Sequence, residues 1–467
     1  MARDTYLVAV SNGGVFMGYS PVEMTQATNG ASALAADVPV RMEDGPPSPN
    51  DSSPTNTHRM MYFVDDGSNY ARLDAHENEV LAWDAFNGTD VITNETIGGS
   101  MPEDGDGNKA TIIAQYRNRI VLSGVKEDPA NWFMSAVGDP RNWDYSPPTT
   151  SATQAVAGNA SDAGEVGDRV TALAPLNDDI MLIGGDQSLW QMTGDPADGG
   201  ALDVISYQTG ITGPDAWAID PAGRVYFMGQ PGLFRFAGTG EPELVSRGRF
   251  DRTFRAFDLV NTRVLLQWDR QRDGLWIFVA DENTDEVREH YWYDQRTDSF
   301  WPIELPISNG PYSVTTFDTD APSDREVLLG GQDGYIRGWR DVRNADADGD
   351  LSTGDVTDAA ISSFVDLGPI IGPPDTDYGI DETTVILDAS AASVTAAIYA
   401  ATTPERLASA AAAFSRAVVG GRNTPLRQRA RGNAIKVRLS HDTVNEDWAM
   451  EGVQVKVSVV GRSRKVV

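Results

Sequence analysis

A chain of 467 residues with 68 Asp and Glu against 37 Lys and Arg, a formal net charge of −31, is too long for one ordinary core and repels nucleic acid in general. The absence of cysteine excludes disulfide frameworks and thiolate metal sites, and no stretch approaches the roughly 18–20 apolar residues of a membrane-spanning helix. With 45 Gly, 26 Pro and 40% apolar residues, the composition describes a turn-rich, well-cored, mainly β protein.

No apolar leader follows Met1, so folding in a cytosol is expected. Residues 1–57 read as an amino-terminal arm: 6–10 and 14–18 suit strands, but the Pro- and Ser-rich run 45–54 has the composition of a loop. Beyond it a pattern recurs: a short apolar strand, a Gly- and Asp-rich turn, then a strand in which aromatics alternate with polar residues. It stands at 180–192, 225–236 and 327–339, each a β-hairpin by alternation about a tight glycine turn. A return at roughly 45–60 residues is the period of a radial array of small sheets, so 58–343 is expected to be a β-propeller of about six blades.

The expected blades fall in chain order. The first holds 60–64 and 79–83, the second 111–122 and 132–136. The third and fourth are the hairpins around Gly185 and Gly232 with lead strands at 170–173 and 216–219. The fifth (264–268, 274–279, 290–293, 299–301) shows all four strands of a full blade, and the sixth joins 312–317 to the hairpin ending at Trp339. An acidic linker, 344–358, then leads to a carboxy-terminal β-rich domain, 359–467. There the Thr403, Pro404, Glu405 start predicts a helix that runs on through 407–418 until Gly420 and Gly421 stop it. Strands at 434–439 and 448–459 should turn Ile435, Val437, Leu439, Val453, Val455 and Val457 inward.

Charge is polarised along the chain. From residue 422 onward ten Lys and Arg face four Asp and Glu, a net of +6, so residues 1–421 carry −37. A basic end on an acidic chain suits docking on an acidic neighbour, including another copy; a solvated basic surface is the plainer reading.

Two segments carry wording of a recognisable kind. One is 115–124 followed by 133–145, with Gly138, Asp139, Pro140, Asn142 and Trp143; the other is the close of the chain, with Arg429, Arg431, Trp448, Arg462 and Arg464. Together with a propeller of this length, they resemble the tail nozzle, or tail-stabilisation protein, of the head-to-tail connector of short-tailed bacteriophages. The resemblance covers about 60–467. It implies a structural virion protein, assembled in the host cytoplasm into a homohexameric ring on the virion tail. Such a ring sits below the portal and adaptor, meets tail fibre or tail-tip proteins, and passes DNA without sequence-specific binding. On that view Trp143, Arg429, Arg431, Arg462 and Arg464 are the candidate assembly interface. The residues alone also allow Trp143 to be a buried anchor behind a turn of Asp139, Pro140, Arg141 and Asn142.

Catalytic motifs are missing. The four histidines (His58, His76, His290, His441) lie outside metal-motif spacing, and neither a zinc-protease helix, a nucleophile elbow nor a phosphate loop occurs. The chain is therefore expected not to be an enzyme and to require no cofactor. Paired carboxylates keep a carbohydrate-binding or sialidase-like propeller open as the alternative, with 269–276 faintly like an Asp-box turn that lacks its serine. Asn344, Asp346, Asp348, Asp350 and Asp355, with Gly349 at the sixth position, match the oxygen spacing of a calcium loop. Without flanking helices, a solvated interdomain linker is the competing reading.

Overall fold

A computed structural model describes residues 5–21, 23–50, 53–86, 88–89, 96–259, 261–281, 289–303, 305, 310–319, 325–331, 333–339, 346–350, 355–371 and 376–462. The chain divides into two compact units, 1–339 and 340–467.

In the first unit, five four-stranded antiparallel sheets follow one another, each with its strands side by side in chain order. They begin with Arg41–Asn50, Ile112–Tyr116, Val170–Pro175, Trp217–Ile219 and Thr262–Asp269. A three-stranded sheet opens the series (Leu7–Ser11, Gly14–Gly18, Thr25–Gln26) and another closes it (Ser313–Phe317, Glu326–Gly330, Ile336–Gly338). Leading strands of successive sheets lie against one another, as Arg41–Asn50 does with Ile112–Tyr116 and Thr262–Asp269 with Ser313–Phe317. Consecutive meanders meeting at their leading strands form a β-propeller.

The sheets are held face to face by apolar layers, and the sequence shows why. In Thr262–Asp269, Val264, Leu266 and Trp268 enter the core shared with the preceding sheet, while Leu265 enters the core shared with the following one. A strand buried on both faces must be apolar at nearly every position, so such strands read as continuous runs rather than alternations. Each Leu or Ile so buried contributes about 1.5–3 kcal/mol before the cost of ordering it.

Besides the short pairing of Gly88–Thr89 with Thr96–Ile97, the described sheets of this unit number seven, each of three or four strands, where the sequence suggests about six blades. The difference lies in residues 1–57. Their first part forms the opening sheet, packed through Val15, Met17 and Leu34 on Phe63, Leu73 and Val80 of the next. Their last part is strand: Arg41–Asn50 pairs with Ser53–Val64, against the loop expected from composition. The register shifts between Gly45 and Ser48, so Pro46 and Pro47 fall in a bulge, where the missing N–H costs the ladder nothing. Leu7 of the opening sheet meets Phe317 and Leu328 of the closing one, and the ring is shut.

The second unit is a β-sandwich. One sheet runs Ser363–Ile371, Ala434–His441, Val394–Ala401, Ala412–Val418. In the other, Thr376–Leu387 is flanked on one edge by Gly421–Arg422 and Leu426–Gly432 and on the other by Met450–Arg462. Ile435, Val437 and Leu439 are fully buried between the sheets. Val453 and Val455 pack half-buried against the same cores, and Val457 is half-buried. The expected helix through 418 is corrected to one turn, Pro404–Leu407, because Ala412–Val418 pairs along Val394–Ala401 as a strand. Within the span read as a linker, Asp346–Asp350 and Asp355–Ala359 form an antiparallel hairpin.

Candidate functional site

Strand Leu426–Gly432 alternates strictly. Leu426, Gln428, Ala430 and Gly432 are buried, and Arg427, Arg429 and Arg431 stand on the solvent face. Inside, Gln428 anchors the strand through Nε2 to Thr383 Oγ1 at 2.9 Å. Outside, Arg427 lies 3.3 Å from Glu382 and Arg431 3.1 Å from Asp377. Arg429 has no carboxylate partner among the described residues. Lys456, directly across the ladder from Glu382, widens the basic strip.

The side chains of Arg427 and Arg431 are 83% and 51% exposed, so their ion pairs are solvent-screened and each is worth about 0–1 kcal/mol. These guanidiniums can therefore be redirected to a partner's acids at little cost to the fold. The opposite sheet differs. There Arg438 and Lys436 both close on Asp366, at 2.7 and 3.0 Å, and hold its carboxyl below the usual range. Arg438 also lies over the Phe364 ring, 4.2 Å from its centroid. That patch is internally satisfied, and the strip on Leu426–Gly432 is the more available surface.

The other sites expected from sequence fall as follows. Trp143 is fully buried and is corrected from a candidate contact to a core anchor. Its indole Nε1 and that of Trp83 both donate to Pro140 O at 2.9 Å, with Asp139 Oδ1 accepting from Arg141 N in the turn between. Arg429 and Arg431 are exposed as required of contact residues. Arg462 ends the last strand opposite Thr376; its side chain, and all of Arg464, lie outside the described residues. Of the calcium set, Asn344 and the side chains of Asp346, Asp348, Asp350 and Asp355 lie outside the described residues as well. The backbone at Asp346–Asp350 is extended, with Asp350 opposite Asp355, whereas a twelve-residue calcium loop curls around its ion. Asp269, at the head of the Asp-box-like segment, is nearly buried; its Oδ2 accepts from Arg272 Nη1 at 2.5 Å and Trp276 Nε1 at 3.1 Å, a turn-building role.

One grouping escapes sequence reasoning. The fold brings His58 and His76 together, ring centroids 4.8 Å apart and planes tilted by 52°, beside Glu77. Only the hairpin register could have revealed it, since pairing Met60 with Asp74 carries His58 toward His76.

No protein-family model and no curated protein matches the chain. Solved structures of similar architecture include the extracellular domains of two hybrid two-component systems from Bacteroides thetaiotaomicron. One shares 9% identity at a TM-score of 0.44, over 91% of this chain and 46% of that one; the other shares 12% at 0.44, over 90% and 44%. This chain thus spans less than half of either domain. A lectin from Aleuria aurantia aligns at 9% identity and a TM-score of 0.32, over 65% of this chain and 91% of the lectin. Overlaps this loose add nothing to what the strand order itself establishes: a mainly β chain with a propeller and a second β unit.

Proposed function

We propose that this chain is a non-catalytic assembly subunit, the tail nozzle of a short-tailed phage, in which copies join through the carboxy-terminal unit into a ring that extends the DNA channel. The supporting observation is the arginine strip of Leu426–Gly432, carried on a chain of net charge −31. Such a strip finds complementary acid on any further copy of the same chain, and complementary potential steers and registers an interface. The propeller supplies a rigid body, and acidic walls in a channel would give DNA phosphates nothing to hold. The tail-protein resemblance of residues 115–145 agrees with this reading. No structural similarity to a tail protein is part of its support.

Replacing Arg429 by Glu tests it. The residue is exposed and has no described acid to lose, so the monomer should fold and melt as before. Tagged wild-type chain should label the tail axis of native particles with sixfold symmetry under electron microscopy, and R429E should be absent from particles or weaken incorporation at least tenfold. Label on free soluble protein or on fibres away from the axis overturns the nozzle reading.

A second reading, a carbohydrate-binding propeller, is favoured by exposed aromatics on the first unit: Tyr207, Trp301 and Tyr335 are 70%, 52% and 49% exposed. Flat apolar rings with a polar edge suit sugar faces. Among the neighbours, the Aleuria lectin and an exo-β-1,3-galactanase from Phanerochaete chrysosporium lean to this reading rather than to the nozzle, at TM-scores of 0.32 and 0.28 that cannot decide between them. Saturable glycan binding lost on Trp301→Ala would establish it.

A further inference from the structure

The geometry points to a divalent transition-metal site on the second sheet of the propeller, made by His58, His76 and Glu77 and oriented by Asp74. One ligand atom from each of the three lies within 4.8 Å of the others. His76 Nε2 stands 3.7 Å from Glu77 Oε1, close to the about 3.4 Å that separates two donors on a tetrahedral ion with bonds near 2.1 Å. The side chains of His76 and Glu77 are 73% and 54% exposed, so small rotamer changes can close the remaining gap to His58.

What distinguishes this group from two chance surface histidines is Asp74. It is fully buried at the end of Tyr70–Asp74, and both of its oxygens face the cluster. Oδ2 lies 2.6 Å from His58 Nδ1, and Oδ1 accepts the backbone N–H groups of His76 at 2.9 Å and Glu77 at 3.2 Å. The first contact places the proton on Nδ1 and leaves His58 Nε2 as the ligand, the carboxylate–histidine–metal arrangement that fixes tautomer and ring orientation. The second sets the turn that carries the other two ligands. One buried carboxylate thus positions all three donors.

Two imidazoles and a carboxylate are borderline donors suited to Zn²⁺, and by the usual order of affinities to Ni²⁺ and Cu²⁺ as well, and they are poorly suited to Ca²⁺ or Mg²⁺. Three protein ligands leave a tetrahedral ion one open position, which water would fill. The ion would tie strand Ser53–Val64 to the turn after Tyr70–Asp74.

Calorimetric titration of untagged, chelator-stripped full-length chain with Zn²⁺ at pH 7.5 tests the site, alongside Co²⁺ titration read by visible absorption. One equivalent should bind, Co²⁺ should give the intense d–d bands of a four-coordinate site, and Zn²⁺ should raise the melting temperature. Both H76A and E77Q change exposed side chains and should keep the unliganded melt while weakening Zn²⁺ at least 30-fold and 10-fold. D74N should weaken it about 10–100-fold, the cost typical of losing such a support. Absence of saturable one-to-one binding, or unchanged affinity in H76A, overturns the site.

Discussion

His290 shows how much a single buried group can impose on the first unit. It lies fully buried in His290–Asp294, its Nδ1 accepting from Val279 N at 3.1 Å, and burial pushes its pKa down from 6.5 to about 4. Acceptance at Nδ1 requires the neutral ring there. The unfolded chain takes a proton near pH 6.5 while the folded one resists until about pH 4, so stability falls as pH drops through that window and the loss levels off below it. The span corresponds to about 2–4 kcal/mol. Denaturant unfolding at pH 7 and pH 4.5 should show a deficit that shrinks by about that amount in His290→Gln, an uncharged near-isostere; an equal deficit in both proteins would place the acid sensitivity elsewhere. None of this is legible in the sequence, where His290 is one more residue in an aromatic strand.

Between elements, Arg119 does comparable work. It leads strand Arg119–Val125 and is fully buried; its guanidinium donates to the carbonyls of Ser135 at 2.8 Å, Gln154 at 2.5 Å and Ala152 at 3.1 Å, and meets Asp195 of the next sheet's outer turn at 3.1 Å. Desolvation pulls its pKa down and Asp195 opposes that, so the charge is retained at the joint between two blades. Arg119→Ala would strand several acceptors and a carboxylate together, and should cost about 3–5 kcal/mol, measurable as a fall in the denaturation midpoint without change in slope. Arg119→Lys, which keeps the charge but not the fork, should recover only part of it. Elements were legible wherever one glycine turn separates two strands, as in Ile180–Gly185 with Leu189–Thr193 and throughout the sheet from Thr262 to Ile303. They were misread where local chemistry and tertiary pairing disagree. Thr403 and Pro404 do begin a helix, but the alanines of Ala412–Val418 favour a helix only locally, and an open edge of the sandwich claims them. The paired prolines of Arg41–Asn50 signal a loop, yet sit in a bulge, where a strand tolerates them. Arg429 and Arg431 were singled out by the resemblance and the basic close of the chain, without the strand Leu426–Gly432 that exposes them; the anchor reading of Trp143 was legible in its turn, but its partner Trp83, far away in the chain, was not.

At the scale of the whole first unit, the decisive contact is the one that closes the ring. Many propellers complete a blade with strands from both chain ends; here the opening and closing sheets each keep three strands from one stretch of chain and meet through side chains. Leu7, Phe317 and Leu328 form that joint, with Met24 and Ile336 packed against it. Among the described residues this core has three buried members, while the core running through the three sheets around Val225–Gly229 has two dozen across its two interfaces. Among the described residues closure is thus the thinnest interface of the ring, and a charge there has no described basic group within the cluster to pair with. Leu7→Asp should cost about 3–5 kcal/mol locally, the scale of an unpaired buried charge combined with lost apolar burial. Because neighbouring sheets are held by their own cores, the effect should appear first at the joint: hydrogen exchange should accelerate in Leu7–Ser11 and Glu326–Gly330 while Val225–Gly229 stays protected. Conservative Leu7→Met should leave exchange at the joint near wild type. Uniform acceleration across every sheet in Leu7→Asp would instead mean that the ring unfolds as one cooperative body, with no weakest seam.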